Sequence, residues 1–158
     1  SRILEIGTCV GFSSLLIKEA CGNDSVIHTI ERNPAMIAPA KENFSRYDSN
    51  GQITMFEGDA LEILKTITEP YDFIFLDAAK GQYPNFLAHI KRLLVPDGVF
   101  ISDNVFFNGY VAKGEPDVRR NKTIVNRLNE YLSELEKISD MNTVLLPISD
   151  GVTLSCKL

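Results

Sequence analysis

The stretch FIFLDAAKGQY (residues 73–83) places four apolar residues directly before an aspartate, and a lysine follows that aspartate three positions later. A short apolar run that ends at polar residues is typical of a buried strand. A carboxylate at the end of such a strand is costly to bury unless another charge compensates it. We therefore expect Asp77 at the end of a strand with Lys80 close by, either as a capping salt bridge or as part of a functional site.

Strand-like and helix-like segments alternate on both sides of this stretch. The predicted strands are Ile3–Ile6, Val26–Ile30, Gln52–Phe56, Tyr71–Leu76, Val99–Ser102, Thr143–Leu146 and Val152–Cys156. The predicted helices are Phe12–Cys21, Pro34–Tyr47, Ala60–Thr66, Pro84–Leu94 and Val118–Ile138, and Pro96-Asp97-Gly98 predicts a break. This alternation indicates right-handed βαβ units and a parallel sheet covered on both faces.

The last two predicted strands are separated only by residues 147–151, which cannot carry a parallel crossover. These strands are therefore expected to be antiparallel neighbours. The predicted fold is α/β, with a doubly wound, mostly parallel seven-stranded sheet whose last strand is antiparallel. No linker or repeat divides the chain, so one domain is expected over residues 1–158.

Composition excludes several classes of protein. The formal charge of −5 argues against a protein that coats nucleic acid by electrostatics alone, and no apolar run approaches the length of a membrane span. The three cysteines are scattered and form no CxxC pair, which is typical of a reducing compartment, so a cytoplasmic protein is expected. Two histidines are too few for a His-rich metal site.

Glycines and carboxylates follow the first three predicted strands. In LEIGTCVGFSS (residues 4–14), Gly7 and Gly11 allow a tight turn and close approach of a ligand, but the spacing is not the GxGxxG of pyrophosphate binders. Glu31 ends the second strand, where a carboxylate can bind both ribose hydroxyls, and Asp59 follows the third, facing an adenine edge. A carboxylate-lined nucleoside site suits a cationic ligand and indicates S-adenosylmethionine.

The fifth predicted strand ends in ISDNV (residues 101–105), next to the strand that ends at Asp77. Asp77, Asp103 and Asn104 would then offer two carboxylates and an amide oxygen, a donor set that suits a hard cation such as Mg²⁺. Lys80 would be the general base. The alternative is structural, with Asp103-Asn104 forming a turn before Val105.

These motifs resemble those of known enzymes. ExGxxxG, the acid after strand two and GDA resemble the class I methyltransferases, while LDAAKGQY and ISDNV resemble the metal-dependent O-methyltransferases of the catechol and caffeoyl-CoA type. The resemblance implies Asp77, Asp103 and Asn104 as Mg²⁺ ligands and Lys80 as the base. The cofactor contacts that it implies are Glu5, Gly7, Thr8, Ser13, Glu31, Asp59, Ala60 and Asp77. Such enzymes usually carry N-terminal helices that this sequence lacks, and they often pair, so we expect the core of a longer protein that forms a homodimer.

The expected reaction is in-line methyl transfer to a hydroxyl beside a second oxygen. Within the family, DAAKGQY, SDNV and FNGYVA (residues 107–112) most resemble the bacterial tRNA 5-hydroxyuridine methyltransferases, which implies a wobble base as acceptor. The basic residues that could grip an anticodon, or could form a solvated helix face, are Lys113, Arg119, Arg120, Lys122 and Arg127. Tyr83 and Phe107 are candidates for stacking on a base or for packing. The alternatives are a small catechol-like phenol as acceptor, or a non-catalytic or oxidoreductase nucleotide-binding domain.

Overall fold

A computed structural model of the chain describes residues 1–113 and 119–158, apart from the side chain of Arg120. The strands are β1 (Arg2–Ile6), β2 (Val26–Glu31), β3 (Ile53–Glu57), β4 (Tyr71–Leu76), β5 (Leu94–Asp103), β6 (Met141–Leu146) and β7 (Val152–Lys157). The helices are α1 (Phe12–Cys21), α2 (Pro34–Tyr47), α3 (Ala60–Thr66), α4 (Tyr83–Leu93), α5 (Tyr110–Lys113) and α6 (Arg119–Glu136), with a 3₁₀ turn over Lys80–Gln82.

The strands form one seven-stranded sheet in the order β3-β2-β1-β4-β5-β7-β6. The five strands from β3 to β5 in that order are parallel, whereas β7 runs antiparallel to both of its neighbours, β5 and β6. The predicted α/β fold with an antiparallel last strand is therefore confirmed. The sheet reverses its strand order between β1 and β4, which is where an open α/β sheet forms its ligand crevice.

The main core lies between the sheet and the helices α3, α4 and α6. Right-handed crossovers place α1 and α2 on one face of the sheet and α3 and α4 on the other. On the second face, Leu4, Ile74 and Phe100 lie side by side on β1, β4 and β5 and are fully buried. Leu128 and Tyr131 of α6 belong to the same apolar cluster. Helix α6 thus fixes the part of the sheet that carries the ends of β4 and β5.

The structure differs from the sequence prediction around residues 94–98. Strand β5 begins at Leu94 and continues through Pro96-Asp97-Gly98, where the sequence predicts a break. The pairing with β4 absorbs the extra residues, because Tyr71 lies opposite Leu94 while Phe73 lies opposite Val99. The short helix α5 was not predicted, and Val118, the predicted start of the long helix, lies outside the described residues.

Among the helices in the described ranges, none combines the length and the apolar character that a membrane crossing requires.

Candidate active site

A pocket opens at the carboxyl ends of β1, β2, β3 and β4, beside the point where the strand order reverses. It brings together five of the predicted site residues: Gly7, Glu31, Asp59, Ala60 and Asp77. The sequence prediction did not include other residues of its wall, among them Cys9, Arg32, Leu61, Gln82 and Phe86. Cys9, Arg32 and Leu61 each lie next to a predicted residue, so adjacency was the only signal that could have indicated them.

The glycine loop after β1 lies tightly against the end of β4. Gly7 has a φ of 110°, and its N–H donates to the carbonyl oxygen of Ile30, 3.1 Å away. A β-carbon at Gly7 would overlap the carbonyl oxygen of Asp77 and lie 2.8 Å from the carbonyl carbon. A β-carbon at Gly11, with a φ of 84°, would lie 2.5 Å from the ring of Phe44. Only glycine allows this loop to come so close to its neighbours.

Glu5 is fully buried beneath the glycine loop. Its carboxylate accepts hydrogen bonds from the hydroxyls of Ser13 and Ser14, and from that of Thr29 at 2.5 Å. Burial raises the pKa of Glu5 above its ordinary value, and the hydroxyls oppose that effect.

Thr8 is also fully buried, with its hydroxyl 2.6 Å from that of Thr29. Of the predicted cofactor contacts, Glu5, Thr8 and Ser13 therefore support the loop from below rather than line the pocket. Their role in direct cofactor contact stays a prediction.

The carboxylate of Glu31 is held in place by backbone N–H groups. One oxygen accepts from Cys9 at 2.8 Å, and the other accepts from Arg32 at 2.9 Å and Asn33 at 2.8 Å. These bonds join the end of β2 to the glycine loop and to the start of α2. Glu31 is consequently oriented in the pocket wall before any ligand arrives, as a hydroxyl-binding carboxylate requires.

Asp59 and Arg32 form the outer rim of the pocket. One carboxylate oxygen of Asp59 accepts from the N–H of Leu61 at 2.9 Å and so caps α3. The other lies 3.3 Å from the guanidinium of Arg32. Both side chains are about half exposed, so this ion pair contributes little stability and leaves both groups free to meet a ligand.

The ends of β4 and β5 lie side by side, with Leu76 opposite Ser102. The amine of Lys80 is 2.6 Å from a carboxylate oxygen of Asp77, so the expected proximity of this pair is observed. The Lys80 side chain is 14% exposed and that of Asp77 is 44% exposed. An ion pair is required by both interpretations, the capping salt bridge and the reactive pair.

After β5 the chain turns sharply at Asp103 and Asn104. One carboxylate oxygen of Asp103 accepts from the N–H of Asn104 at 2.7 Å, and Asn104 has a φ of 54°. The following loop is held by the β6–β7 turn, because the carboxylate of Asp150 accepts from Asn108 at 2.8 Å and the carbonyl of Gly151 accepts from Val105 at 3.0 Å. The alternative turn before Val105 is therefore present, and it does not exclude a ligand role for its side chains.

Within residues 1–113 and 119–158, no three His, Cys, Asp or Glu side chains gather closely enough to form a metal site of their own. The predicted set, Asp77, Asp103 and Asn104, has only two carboxylates and relies on an amide for its third oxygen. Its chemistry suits a hard cation that retains water or substrate ligands. The magnesium site stays a prediction.

Tyr83 lies beneath the ends of β4 and β5 and is fully buried, so of its two candidate roles, stacking on a base and packing, the structure shows packing. Its hydroxyl lies 2.8 Å from the amine of Lys80 and 2.9 Å from the carbonyl oxygen of Asp103. Burial, reinforced by the negative charge of Asp77, raises the pKa of Tyr83 well above its usual range, so the phenol stays protonated. Phe107 is half-buried, with its ring 6.1 Å from that of Tyr110.

The basic residues of the predicted tRNA-binding stretch do not form one set. Lys113, Arg119 and Lys122 are exposed, and the side chain of Arg120 lies outside the described structure. Arg127 is engaged within the protein, because its guanidinium donates to the carbonyl oxygen of Gly81 at 3.1 Å and to Asn85 at 2.8 Å. It braces the turn that carries Lys80, which leaves at most the exposed residues to meet a nucleic acid.

Comparisons with known proteins match most or all of the chain. A family model described as O-methyltransferase matches residues 1–158. O-methyltransferase ankF of Aspergillus thermomutatus is 34% identical over 97% of this chain and 69% of its own length. Catechol O-methyltransferase of Niastella koreensis is 33% identical over 70% of this chain, and the match spans only 52% of that relative.

Solved structures agree with these relatives. A candidate caffeoyl-CoA O-methyltransferase from Staphylococcus aureus has a TM-score of 0.92 and 37% identity, covering 100% of this chain and 76% of that chain. The Podospora anserina methyltransferase PaMTH1, solved with S-adenosylhomocysteine bound, has a TM-score of 0.89 and 30% identity over 99% of this chain and 71% of that chain. The O-methyltransferase TomG from Streptomyces achromogenes, solved with S-adenosylmethionine, has a TM-score of 0.86 and 28% identity over 99% of this chain and 72% of that chain.

Proposed function

We propose that this chain, which belongs to the S-adenosylmethionine-dependent O-methyltransferase family, methylates a small phenol with two adjacent oxygens. The observation that carries this proposal is the position of Asp77, which lines the nucleoside pocket and also pairs with Lys80. A donor bound in the pocket would therefore face the polar groups at the ends of β4 and β5. The similarity to a catechol O-methyltransferase and to a candidate caffeoyl-CoA O-methyltransferase favours a phenolic acceptor.

The cofactor half of the pocket would hold the nucleoside of S-adenosylmethionine, which supplies a methyl carbon on a sulfonium. Glu31 would accept from the ribose hydroxyls, since three backbone N–H groups already fix its carboxylate. Asp59 lies on the next strand end, where an adenine edge would follow the ribose. Gly7 lines the pocket and lets the loop that carries it lie directly against the end of β4.

Lys80, in its neutral amine form, would take the proton of the acceptor hydroxyl as the methyl carbon leaves the sulfonium for that oxygen. Asp77 and Tyr83 hold its amine from two sides, which limits the positions that the flexible side chain can occupy. Positioning of an acceptor against a donor supplies much of the rate enhancement in bimolecular transfers.

A divalent cation would be held by Asp77, Asp103 and Asn104. One oxygen of Asp77 accepts from Lys80, and one oxygen of Asp103 accepts from the N–H of Asn104. The second oxygen of each carboxylate could therefore bind the cation. Bound Mg²⁺ would lower the pKa of the acceptor hydroxyl and orient its two oxygens.

The test is Asp103→Ala with catechol as acceptor. We expect at least a hundredfold loss of kcat, as for removal of one group that stabilises charge in a transition state, while S-adenosylhomocysteine still binds in calorimetry. The control is Asp24→Ala, which removes an exposed carboxylate just before β2, at the amino ends of the parallel strands and away from the pocket. This variant should keep full activity. Undiminished turnover of Asp103→Ala, or of the unmodified protein in excess EDTA, would exclude metal-assisted transfer.

A second acceptor, the 5-hydroxyuridine of a tRNA wobble position, is supported by the exposed cations Lys113, Arg119 and Lys122 near the loop after β5. Cations of this kind bind phosphates without reading sequence. The double replacement Arg119→Ala/Lys122→Ala should then reduce methylation of tRNA from a strain lacking this gene, with catechol methylation unchanged. Arg46→Ala/Lys65→Ala removes the same charge elsewhere and is the control. Equal effects of both double variants on tRNA methylation would refute specific binding of tRNA by Arg119 and Lys122.

A further inference from the structure

The hydroxyl of Tyr83 is the meeting point of three groups. It lies 2.8 Å from the amine of Lys80, 2.9 Å from the carbonyl oxygen of Asp103 and 3.2 Å from the carbonyl oxygen of Leu76. An ammonium group can only donate, so the hydroxyl accepts from Lys80. The hydroxyl then donates its own hydrogen bond to one of the two carbonyl oxygens, and the shorter distance favours that of Asp103.

These carbonyls belong to the last residues of β4 and β5, so Tyr83 is fastened to the sheet rather than to a loop. Its ring is fully buried and meets the ring of Tyr131 edge to face, with centroids 5.3 Å apart. The amine of Lys80 also lies 5.1 Å from the centre of the Tyr83 ring. Asp77, the other partner of Lys80, is nearly half exposed and constrains the amine less.

The geometry points to Tyr83 as a positioning residue, which fixes the amine of Lys80 at the acceptor side of the pocket by a hydrogen bond anchored on the two strand ends. This inference rests on the proposed function only for its effect on turnover, because the constraint on Lys80 exists without any substrate. A lysine side chain has four rotatable bonds, so a hydrogen bond that fixes the amine of Lys80 limits the positions that this amine can take.

The matched pair of variants is Tyr83→Phe and Tyr131→Phe. Both remove one buried hydroxyl from a fully buried ring, and the Tyr131 hydroxyl bonds to Ser102 at 2.6 Å rather than to Lys80. With catechol as acceptor, Tyr83→Phe should lower kcat about tenfold, the effect of one hydrogen bond to a charged group, with KM for S-adenosylmethionine unchanged. Tyr131→Phe should lower the urea midpoint of unfolding about as much as Tyr83→Phe does, but its kcat should stay within about twofold of that of the unmodified protein.

A second measurement does not depend on turnover. Lys80 is labelled with acetic anhydride at fixed pH, with and without S-adenosylhomocysteine, and its labelling rate is read by peptide mass spectrometry. Tyr83→Phe should speed the labelling of Lys80 by about tenfold, and Tyr131→Phe should not change it. If both variants label Lys80 at the rate of the unmodified protein, the inference is wrong. If the unmodified protein does not methylate catechol, the phenol proposal fails while the labelling result still decides the role of Tyr83.

The unmodified protein provides the measurement if Tyr83→Phe does not fold. Lys65 is also paired with a carboxylate three residues away, at 2.7 Å from Glu62, but it contacts no tyrosine in the described residues and is 56% exposed. Lys80 should be labelled at least about tenfold more slowly than Lys65, because Tyr83 holds its amine and because its side chain is only 14% exposed. Equal rates for the two lysines would overturn the inference.

Discussion

Gly7→Ala tests how closely the loop after β1 and the end of β4 are fitted together. The new β-carbon would overlap the carbonyl oxygen of Asp77 and lie 2.8 Å from its carbonyl carbon and 3.3 Å from the nitrogen of Ala78. All three atoms are backbone, so no side chain can rotate away. The φ of 110° adds conformational strain that only glycine avoids.

The expected loss has two parts. Backbone strain of this kind costs about 1–3 kcal/mol, and forcing packed backbone segments apart costs about another 1–3 kcal/mol. The sum, about 2–6 kcal/mol, is a large fraction of the 5–15 kcal/mol that stabilises a typical domain. Because Asp77 must move, affinity for S-adenosylhomocysteine should fall as well.

Two other glycines separate these contributions. Gly51 has a φ of 65° with no atom within 4 Å of a built β-carbon, so Gly51→Ala should cost only the strain, about 1–2 kcal/mol. Gly81 has open space and no left-handed φ, so Gly81→Ala should stay within about 0.5 kcal/mol of the unmodified protein. Urea unfolding followed by circular dichroism gives all three values. A loss for Gly7→Ala no larger than that for Gly51→Ala would refute the close approach.

Two further predictions concern buried charge and helix capping. Burial raises the pKa of Glu5. As pH rises through that raised value, the folded protein must ionise a buried carboxyl group, so the unmodified protein should lose stability relative to Glu5→Gln. The unmodified protein should therefore compare best with Glu5→Gln at low pH. Urea midpoints between about pH 4 and pH 8 would show this, and a constant difference would contradict it. Arg92 donates to the carbonyl oxygens of Leu64 at 2.8 Å and Ile67 at 2.9 Å, at the end of α3. Arg92→Lys should therefore lower the free energy of unfolding by about 1–3 kcal/mol. The control is Arg46→Lys, at an exposed helix pair, which should change that free energy by less than about 0.5 kcal/mol. Similar losses for both variants would be evidence against the capping role of Arg92.

The arrangement of strand ends could be predicted from sequence because local patterns specify it. The apolar run before Asp77 and the acid that ends β2 at Glu31 mark where parallel strands stop, and the rules for crossovers then bring those ends to one edge. The ion pair between Asp77 and Lys80 follows from a spacing of three residues across a turn. These features need no knowledge of distant contacts.

The features that were not predicted depend on partners far along the chain. Pro96-Asp97-Gly98 reads as a break, but pairing with β4 holds it inside β5 as an irregularity. The sequence leaves Tyr83 open to stacking or packing, and the bond of its hydroxyl to Asp103, 20 residues away, decides for packing. The loop after Asn104 takes its shape from Asp150, more than 40 residues later, and no local pattern announces that contact.

Strand β7 follows the other six strands in the sequence, yet it lies between β5 and β6, inside the sheet rather than at its margin. On the ribosome, β5 must therefore wait with one side unpaired until those residues have left the exit tunnel. The Asp103 end of the site, whose loop is held by the turn before β7, would therefore form later during synthesis than the part of the site built on β1 to β4.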